Sequence, residues 1–167
     1  SLVGPSEGVI RSFPDRRTDH EIELAVIIGH EVRRISPEEA PGCVAAYSIG
    51  LDMTVRGKED RSMRKSVDSY SVLGPWLVTK DEIADPDNLT LTLRLNGEIR
   101  QNSNTRELIY DVSTLISKCS DFYTLFPGDI IYTGTPAGVG RVQPGETLEC
   151  EIEGIGRMQV QVSGPRY

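Results

Sequence analysis

The run Glu21-Ile22-Glu23-Leu24-Ala25-Val26-Ile27-Ile28-Gly29 sets two glutamates one residue apart at the head of an otherwise apolar stretch. Side chains alternate across a β-strand, so Ile22, Leu24, Val26 and Ile28 fill one face while both carboxylates project from the other. Held about 7 Å apart at their Cα atoms, two like charges repel and lose hydration unless something positive sits between them. The run itself contains no lysine or arginine. A divalent cation answers that need. A strand with a solvated polar face fits the same pattern without one, so this stretch alone leaves both readings open.

Most other apolar stretches are also short and bounded by Gly, Pro, Asn or Asp, which predicts a mostly β fold of the α+β class. Residues 44–54 form a second apolar stretch, ending in Leu51-Asp52-Met53-Thr54. Thr90–Leu95 alternates, Asn96-Gly97 signals a type I′ turn, and Glu98–Gln101 returns with a polar exposed face read as structural. Asp129–Thr133 and Thr147–Ile152 read as strands, and Gly154-Ile155-Gly156 turns the latter into Arg157–Val162. One or two short helices are expected. Ser36-Pro37-Glu38-Glu39 reads as a helix start that Pro41-Gly42 should stop or kink, and Val112, Leu115, Ile116 and Cys119 recur at helical spacing over about residues 112–120.

The chain of 167 residues has the length of one domain, 1–167, able to bury a core without metal or disulfide staples. With 18 basic against 25 acidic residues and a net charge of −7, it offers no basic face for nucleic acid. Cys43, Cys119 and Cys150 are odd in number and widely spaced, which suits neither a disulfide framework nor a thiolate metal site and points to a reducing, cytoplasmic setting. No stretch is long and apolar enough to span a bilayer, so no membrane partner is expected. The opening Ser1-Leu2-Val3-Gly4-Pro5 lacks an initiator methionine, as if an upstream segment preceded it.

Asp52 is the next acid inside an apolar segment. On a strand beside Glu21 and Glu23 it would complete an oxygen-only set suited to Mg²⁺, Mn²⁺ or Ca²⁺. Arg56, the segment Arg64-Lys65-Ser66-Val67-Asp68-Ser69, the turn Leu73-Gly74-Pro75-Trp76 and the loop Gly134-Thr135-Pro136-Ala137-Gly138-Val139-Gly140 follow. Glycine-rich loops after strands bring backbone amides and hydroxyls close to ligands.

Taken in order, Glu-x-Glu-Leu-Ala-Val-x-Ile-Gly, Gly-x-Asp-x-Thr-x-Arg, Arg-Lys-Ser-x-Asp-Ser, Leu-Gly-Pro-Trp-Leu-Val-Thr, Asn-Gly-Glu-x-Arg-Gln and Gly-Thr-Pro-Ala-Gly-Val-Gly resemble the fumarylacetoacetate hydrolase family over nearly the whole chain. The resemblance implies a roll of mixed β-sheets of that family's C-terminal-domain type, a homodimer, and a divalent cation acting on a 2-oxo acid. It implies Glu21, Glu23 and Asp52 as metal ligands, Arg56 and Lys65 as catalytic cations, and Thr135, Gly134, Ser69 and Glu59 as substrate-binding positions. Glu59 stands where many relatives carry glutamine, and should disfavour an anionic group unless Lys58, Arg61 or Arg64 neutralises it.

The implied chemistry is hydrolysis of a C–C bond in an acylpyruvate-like product of aromatic degradation, through a metal-stabilised enolate. Isomerisation of a hydroxymuconate or decarboxylation of an oxaloacetate-like acid would use the same ligands. A module that binds metal without catalysis is the alternative of another class. No His-x-x-Glu stands ahead of the Glu-x-Glu strand in this chain, where the family's dyad lies, and His20, directly before Glu21, is read as supporting the fold. Arg56 is equally readable as a structural partner of Asp52 or Glu59, Thr135 as a turn cap, Lys65 as a solvated charge in a polar loop, and Trp76 as a core or interface aromatic.

Overall fold

The computed structural model describes residues 1–165. In chain order its strands are β1 (Leu2–Val3), β2 (Val9–Ile10), β3 (Thr18–His20), β4 (Ile22–Ile28), β5 (Val44–Asp52), β6 (Thr54–Val55) and β7 (Ser71–Leu73). They continue with β8 (Val78–Thr79), β9 (Thr90–Leu95), β10 (Glu98–Asn104), β11 (Ile130–Tyr132), β12 (Gly140–Arg141), β13 (Thr147–Ile152) and β14 (Gly156–Ser163). Three α-helices, α1 (Ala40–Cys43), α2 (Arg61–Lys65) and α3 (Val112–Phe122), interrupt them. The fold is mostly β, as the sequence predicts, with one helix more than expected.

The glutamate-bearing strand lies inside the largest sheet, whose order is β1-β7-β5-β4-β11 with β8 also on β5. Its alternation is real but incomplete as an account, because Ala25 and Ile27 are buried on the carboxylate side too and every residue of β4 is buried. Glu23 therefore sits at the covered end of a two-sided interior strand. A second sheet, β10-β9-β13-β14-β2, supplies the facing apolar layer. There Leu91, Leu93 and Leu95 of β9, Leu148, Cys150 and Ile152 of β13, and Val160 and Val162 of β14 point inward at a period of two. All of them join one apolar cluster with Ile22, Leu24, Ile49 and Leu51. A small sheet, β12-β3-β6, closes one edge beside the glutamates.

The β9–β10 hairpin turns at Asn96 and Gly97, whose φ angles of 52° and 82° are the positive pair a type I′ turn demands. Past the turn the register slips between Ile99 and Gln101, leaving Arg100 as the extra residue of a β-bulge. The bulge turns Gln101 inward, where it is 0% exposed. The expectation of a merely structural polar face on this strand fails at that residue.

α1 runs through Pro41-Gly42 instead of being stopped by them. Pro41 lies in the first turn, where its missing N–H would have had no helical acceptor. The expected cap is half formed, the Ser36 N–H donating to Glu39 Oε2 at 2.8 Å. α3 starts where Asp111 accepts from the Thr114 N–H at 2.7 Å, and it buries Val112, Ile116 and Ser120. Lys65, placed in a polar loop from sequence, ends α2, which Asp60 caps by accepting from the Ser62 N–H at 2.9 Å. Trp76 is 50% exposed and donates from its indole to the Ile155 carbonyl at 2.8 Å, so it is not a core residue. The cysteines are all free thiols.

Candidate metal centre

Antiparallel pairing of Ile22 with Leu51 brings the start of β4 beside the end of β5, and the Asp52 N–H donates to the Glu21 carbonyl at 2.9 Å. That single ladder puts all three acids at one end of the sheet. Oxygens from Glu21, Glu23 and Asp52 lie within 4.8 Å of one another. They open into a cavity of about 410 Å³ lined also by Thr54, Arg56, Arg61, Arg64, Lys65, Tyr132, Thr133, Gly134 and Thr135.

Gly50 shapes the wall of this cavity. It pairs with Glu23, and a Cβ there would run into the ring of Tyr132, which lies across the strand with its hydroxyl donating to the Val72 carbonyl at 2.9 Å. Glycine is thus required by close approach at this position.

The charges are unevenly partnered. Lys65 Nζ donates to Glu21 at 2.7 Å and also to Asp52. Burial alone would lower the Lys65 pKa, but these two ion pairs outweigh it and raise it. Asp52 is pushed up, chiefly by burial. Arg56 donates to Glu21 at 3.2 Å and, from Nε, to Asp19 at 2.7 Å. Asp19 also accepts from Arg17 at 2.6 Å, and its two arginines overcome the penalty of burial to hold its carboxyl below the ordinary range.

Glu23 differs from the other acids. It is 4% exposed and pairs with no lysine or arginine among the described residues, its one bond being the Gly134 N–H donated to Oε2 at 2.6 Å. Burial, reinforced by the charge of Asp52, pushes its pKa up to about 8. A buried carboxyl in this state ionises readily only when positive charge arrives beside it. Three convergent carboxylates, with one awaiting a counter-charge, fit a hard divalent cation bound through oxygen.

Of the positions expected from sequence, Glu21, Glu23, Asp52, Arg56, Lys65, Gly134 and Thr135 all line this cavity. Glu59 and Ser69 do not. Glu59 is taken by Arg16, which donates at 3.0 and 2.7 Å, so neither Lys58, Arg61 nor Arg64 is its side-chain partner. Ser69 is buried with φ 67°, and its hydroxyl accepts from the Ile10 N–H at 2.8 Å, binding β2 to the fold. Arg56 pairs with Asp19 and Glu21 rather than with Asp52 or Glu59. His20 faces away from the acids, its Nδ1 lying 3.0 Å from Gln101 Oε1. The reading from sequence missed Asp19, Tyr132 and Gln101, and named Arg61 and Arg64 only as neutralisers of Glu59. Asp19 sits in a polar stretch with no apolar frame to mark it as buried.

The model of the family described as fumarylacetoacetate (FAA) hydrolase C-terminal matches residues 1–163. The chain belongs to the fumarylacetoacetate hydrolase family. Among relatives in that family, maleylpyruvate hydrolase of Aquipseudomonas alcaligenes is 55% identical over 97% of this chain and 56% of its own length. A mitochondrial oxaloacetate tautomerase of Rattus norvegicus is 39% identical over 93% of this chain and 54% of its own. The crystal structure of maleylpyruvate hydrolase from Sphingobium sp. SYK-6 in complex with manganese(II) and pyruvate superposes with a TM-score of 0.94 at 40% identity, covering 99% of this chain and 62% of that one. The chain thus spans somewhat more than half the length of these three relatives.

Proposed function

We propose that this chain is the catalytic domain of a divalent-metal-dependent hydrolase that cleaves a C–C bond of an acylpyruvate, as arises in aromatic degradation. The observation that carries the reading is the convergence of Glu21, Glu23 and Asp52, with Glu23 lacking a cationic partner among the described residues in a cavity that four cations also line. Its support from relatives is the maleylpyruvate hydrolase at 55% identity and the related structure that holds manganese(II) and pyruvate.

Glu21, Glu23 and Asp52 would hold the cation, and Mg²⁺ or Mn²⁺ suits three carboxylates with further positions left for small oxygen ligands. When bound, it supplies a Lewis acid that draws charge from the oxygens of a 2-oxo acid. The protein's own groups do the rest. Lys65 and Arg56 set positive charge in the wall where negative charge builds on the substrate as the bond breaks. Asp19 fixes the fork of Arg56 from behind. Gly134 and Thr135 also line the cavity. Arg61 and Arg64 of α2 complete a group of four cations around the cavity, and Arg61 pairs with no carboxylate among the described residues. A substrate with a second carboxylate matches that surplus of positive charge.

Tautomerisation of a 2-oxo acid is a second reading. It is favoured by the oxaloacetate tautomerase relative, 39% identical over 93% of this chain. Isomerisation and proton transfer need no base to activate water.

The reading extends to a cytoplasmic homodimer. Exposed Ile109, Phe122, Tyr123 and Phe126 provide apolar surface for a second copy to cover, and three free thiols suit a reducing compartment. No helix among the described residues is long and apolar enough to cross a membrane.

The test is turnover of maleylpyruvate, fumarylpyruvate and oxaloacetate with Mn²⁺, with Mg²⁺ and with EDTA. Loss of acylpyruvate that stops with EDTA and with Glu23→Ala supports the hydrolase. Turnover that survives both removes the metal mechanism, and enol–keto exchange without cleavage selects the tautomerase.

A further inference from the structure

Gln101 lies on β10, outside the acidic cavity, yet three of the four hydrogen-bonding positions of its buried amide are committed to the strand and loop that carry that site. Its Nε2 donates to Thr135 Oγ1 at 2.8 Å and to the Pro136 carbonyl at 3.0 Å. A carbonyl can only accept, so the amide orientation is set and Oε1 faces the other way. There it accepts from the Ile22 N–H at 3.2 Å and lies 3.0 Å from His20 Nδ1, which is thereby the protonated ring nitrogen. Ile22 is the residue between Glu21 and Glu23.

The loop that Gln101 holds runs alongside the glutamate strand. Thr133 donates from both its N–H and its hydroxyl to the Leu24 carbonyl, at 3.1 and 2.9 Å. Gly134 donates to Glu23, and Thr135 Oγ1 donates to the Ile22 carbonyl at 2.9 Å. These ties all run between the loop and β4. Gln101 adds a tie from the other sheet, and the loop packs directly on its bulge: Gly138 has φ 98°, and a Cβ there would overlap the Arg100 carbonyl oxygen. The bulge that turns Gln101 inward is therefore also the seat of the glycine-rich loop.

We infer that Gln101 is the positioning residue of the site, setting the distance and angle between the loop Gly134–Pro136 and the carboxylates of Glu21 and Glu23. The inference rests on the reading of this loop as one wall of a 2-oxo acid site. A corollary concerns Thr135: its hydroxyl proton is spent on Ile22 and one lone pair on Gln101, so the hydroxyl does not donate to an anionic substrate. It anchors the loop, and the loop's backbone meets the substrate.

Gln101→Glu keeps an acceptor toward Ile22 and His20 while removing the donors toward Thr135 and Pro136. In the full chain with Mn²⁺ and an acylpyruvate, Mn²⁺ affinity should stay within about threefold while KM rises about tenfold or more, the scale expected for lost bonds to buried acceptors. Thr135→Val approaches the same contact from the loop and should give the same split, whereas Thr135→Ser should restore wild-type values. The double variant Gln101→Glu/Thr135→Val should fall short of the summed effects of the two single ones, because both remove the Gln101–Thr135 bond. A lowered melting temperature with unchanged kinetics in Gln101→Glu, additive effects in the double variant, or equal losses of Mn²⁺ affinity and KM would overturn the inference. If Gln101→Glu does not fold, Thr135→Val with unchanged KM overturns it and with raised KM supports it. A wild-type chain that neither turns over acylpyruvate nor binds pyruvate in the presence of Mn²⁺ would overturn the functional reading and this inference with it.

Discussion

Asp19 is fully buried and accepts from Arg56 Nε at 2.7 Å, so the arginine reaches the acidic cavity as a group held from behind rather than as a free surface charge. Its remaining fork contacts Glu21 at 3.2 Å. Asp19→Ala should cost about 2 kcal/mol of stability, the scale of a charge-assisted hydrogen bond shared with partly exposed arginines. It should also lower kcat/KM more than Arg17→Ala, which removes a partner of Asp19 that does not line the cavity. Urea denaturation and steady-state kinetics on both variants check this, and equal kinetics for the two would refute it.

Glu23 links metal binding to pH. In the cation-free protein its carboxyl is raised from 4.5 to about 8, so the native state holds a proton the unfolded chain has lost across that window. Stability of the cation-free protein should accordingly fall as pH climbs from about 4.5 toward 8 and level off above it. A divalent cation must expel the proton, so Mn²⁺ affinity should rise up to about tenfold per pH unit between about 6 and 8 and then flatten. Calorimetry in two buffers of different ionisation heat counts the released proton. Release of none at pH 6.5 would contradict the assignment of Glu23.

Mn²⁺ or Mg²⁺ should raise the melting temperature. Saturation at a hundred times Kd stabilises by about 2.7 kcal/mol if the unfolded chain does not bind the ion. Glu23→Ala should abolish the shift while leaving a folded protein, since it removes a buried carboxyl that no cation partners among the described residues. A shift of the same size in Glu23→Ala would place the ion elsewhere.

Arg61 lines the cavity from the first residue of α2. Replacing it with alanine should raise KM about tenfold for an acylpyruvate bearing a second carboxylate, the scale of one charged contact. A monocarboxylic acylpyruvate should keep its KM within about twofold, a change too small for a lost charged contact. Equal effects on both substrates would assign Arg61 a general role in the field of the pocket.

Gly50→Ala should cost about 1–3 kcal/mol, the usual range for overpacking, because its Cβ would displace the Tyr132 ring from the cavity wall. Loss of the Tyr132 bond to Val72 should accompany it, seen as a change in tyrosine fluorescence or in exchange of nearby amides.

Local chemistry carried much of the fold into the sequence. Asn96-Gly97 names its turn because few residue pairs take two positive φ angles in a row. The Val112 to Cys119 stripe locates α3 because a helix repeats every 3.6 residues. α2 escaped because five residues are too few to show a period. Gln101 escaped for a different reason: the bulge at Arg100 breaks the two-residue alternation and turns a polar residue of the strand into the interior. Glu59 and Ser69 were displaced from the site by partners 43 and 59 residues away, Arg16 and Ile10, which no local pattern announces.

By itself, the order of residues determined that Glu21 and Glu23 share a face, since alternation is a property of the extended backbone. It also carried Asp52, Lys65 and the loop from Gly134 as candidates for the same site. Only the tertiary structure decided which charges neutralise one another. It gave Lys65 to Glu21 and Asp52, Arg56 to Asp19 and Glu21, and, among the described residues, left Glu23 with a backbone amide alone. Ion pairing depends on distances of a few ångströms and on burial, and both arise when strands far apart in the chain are brought into register.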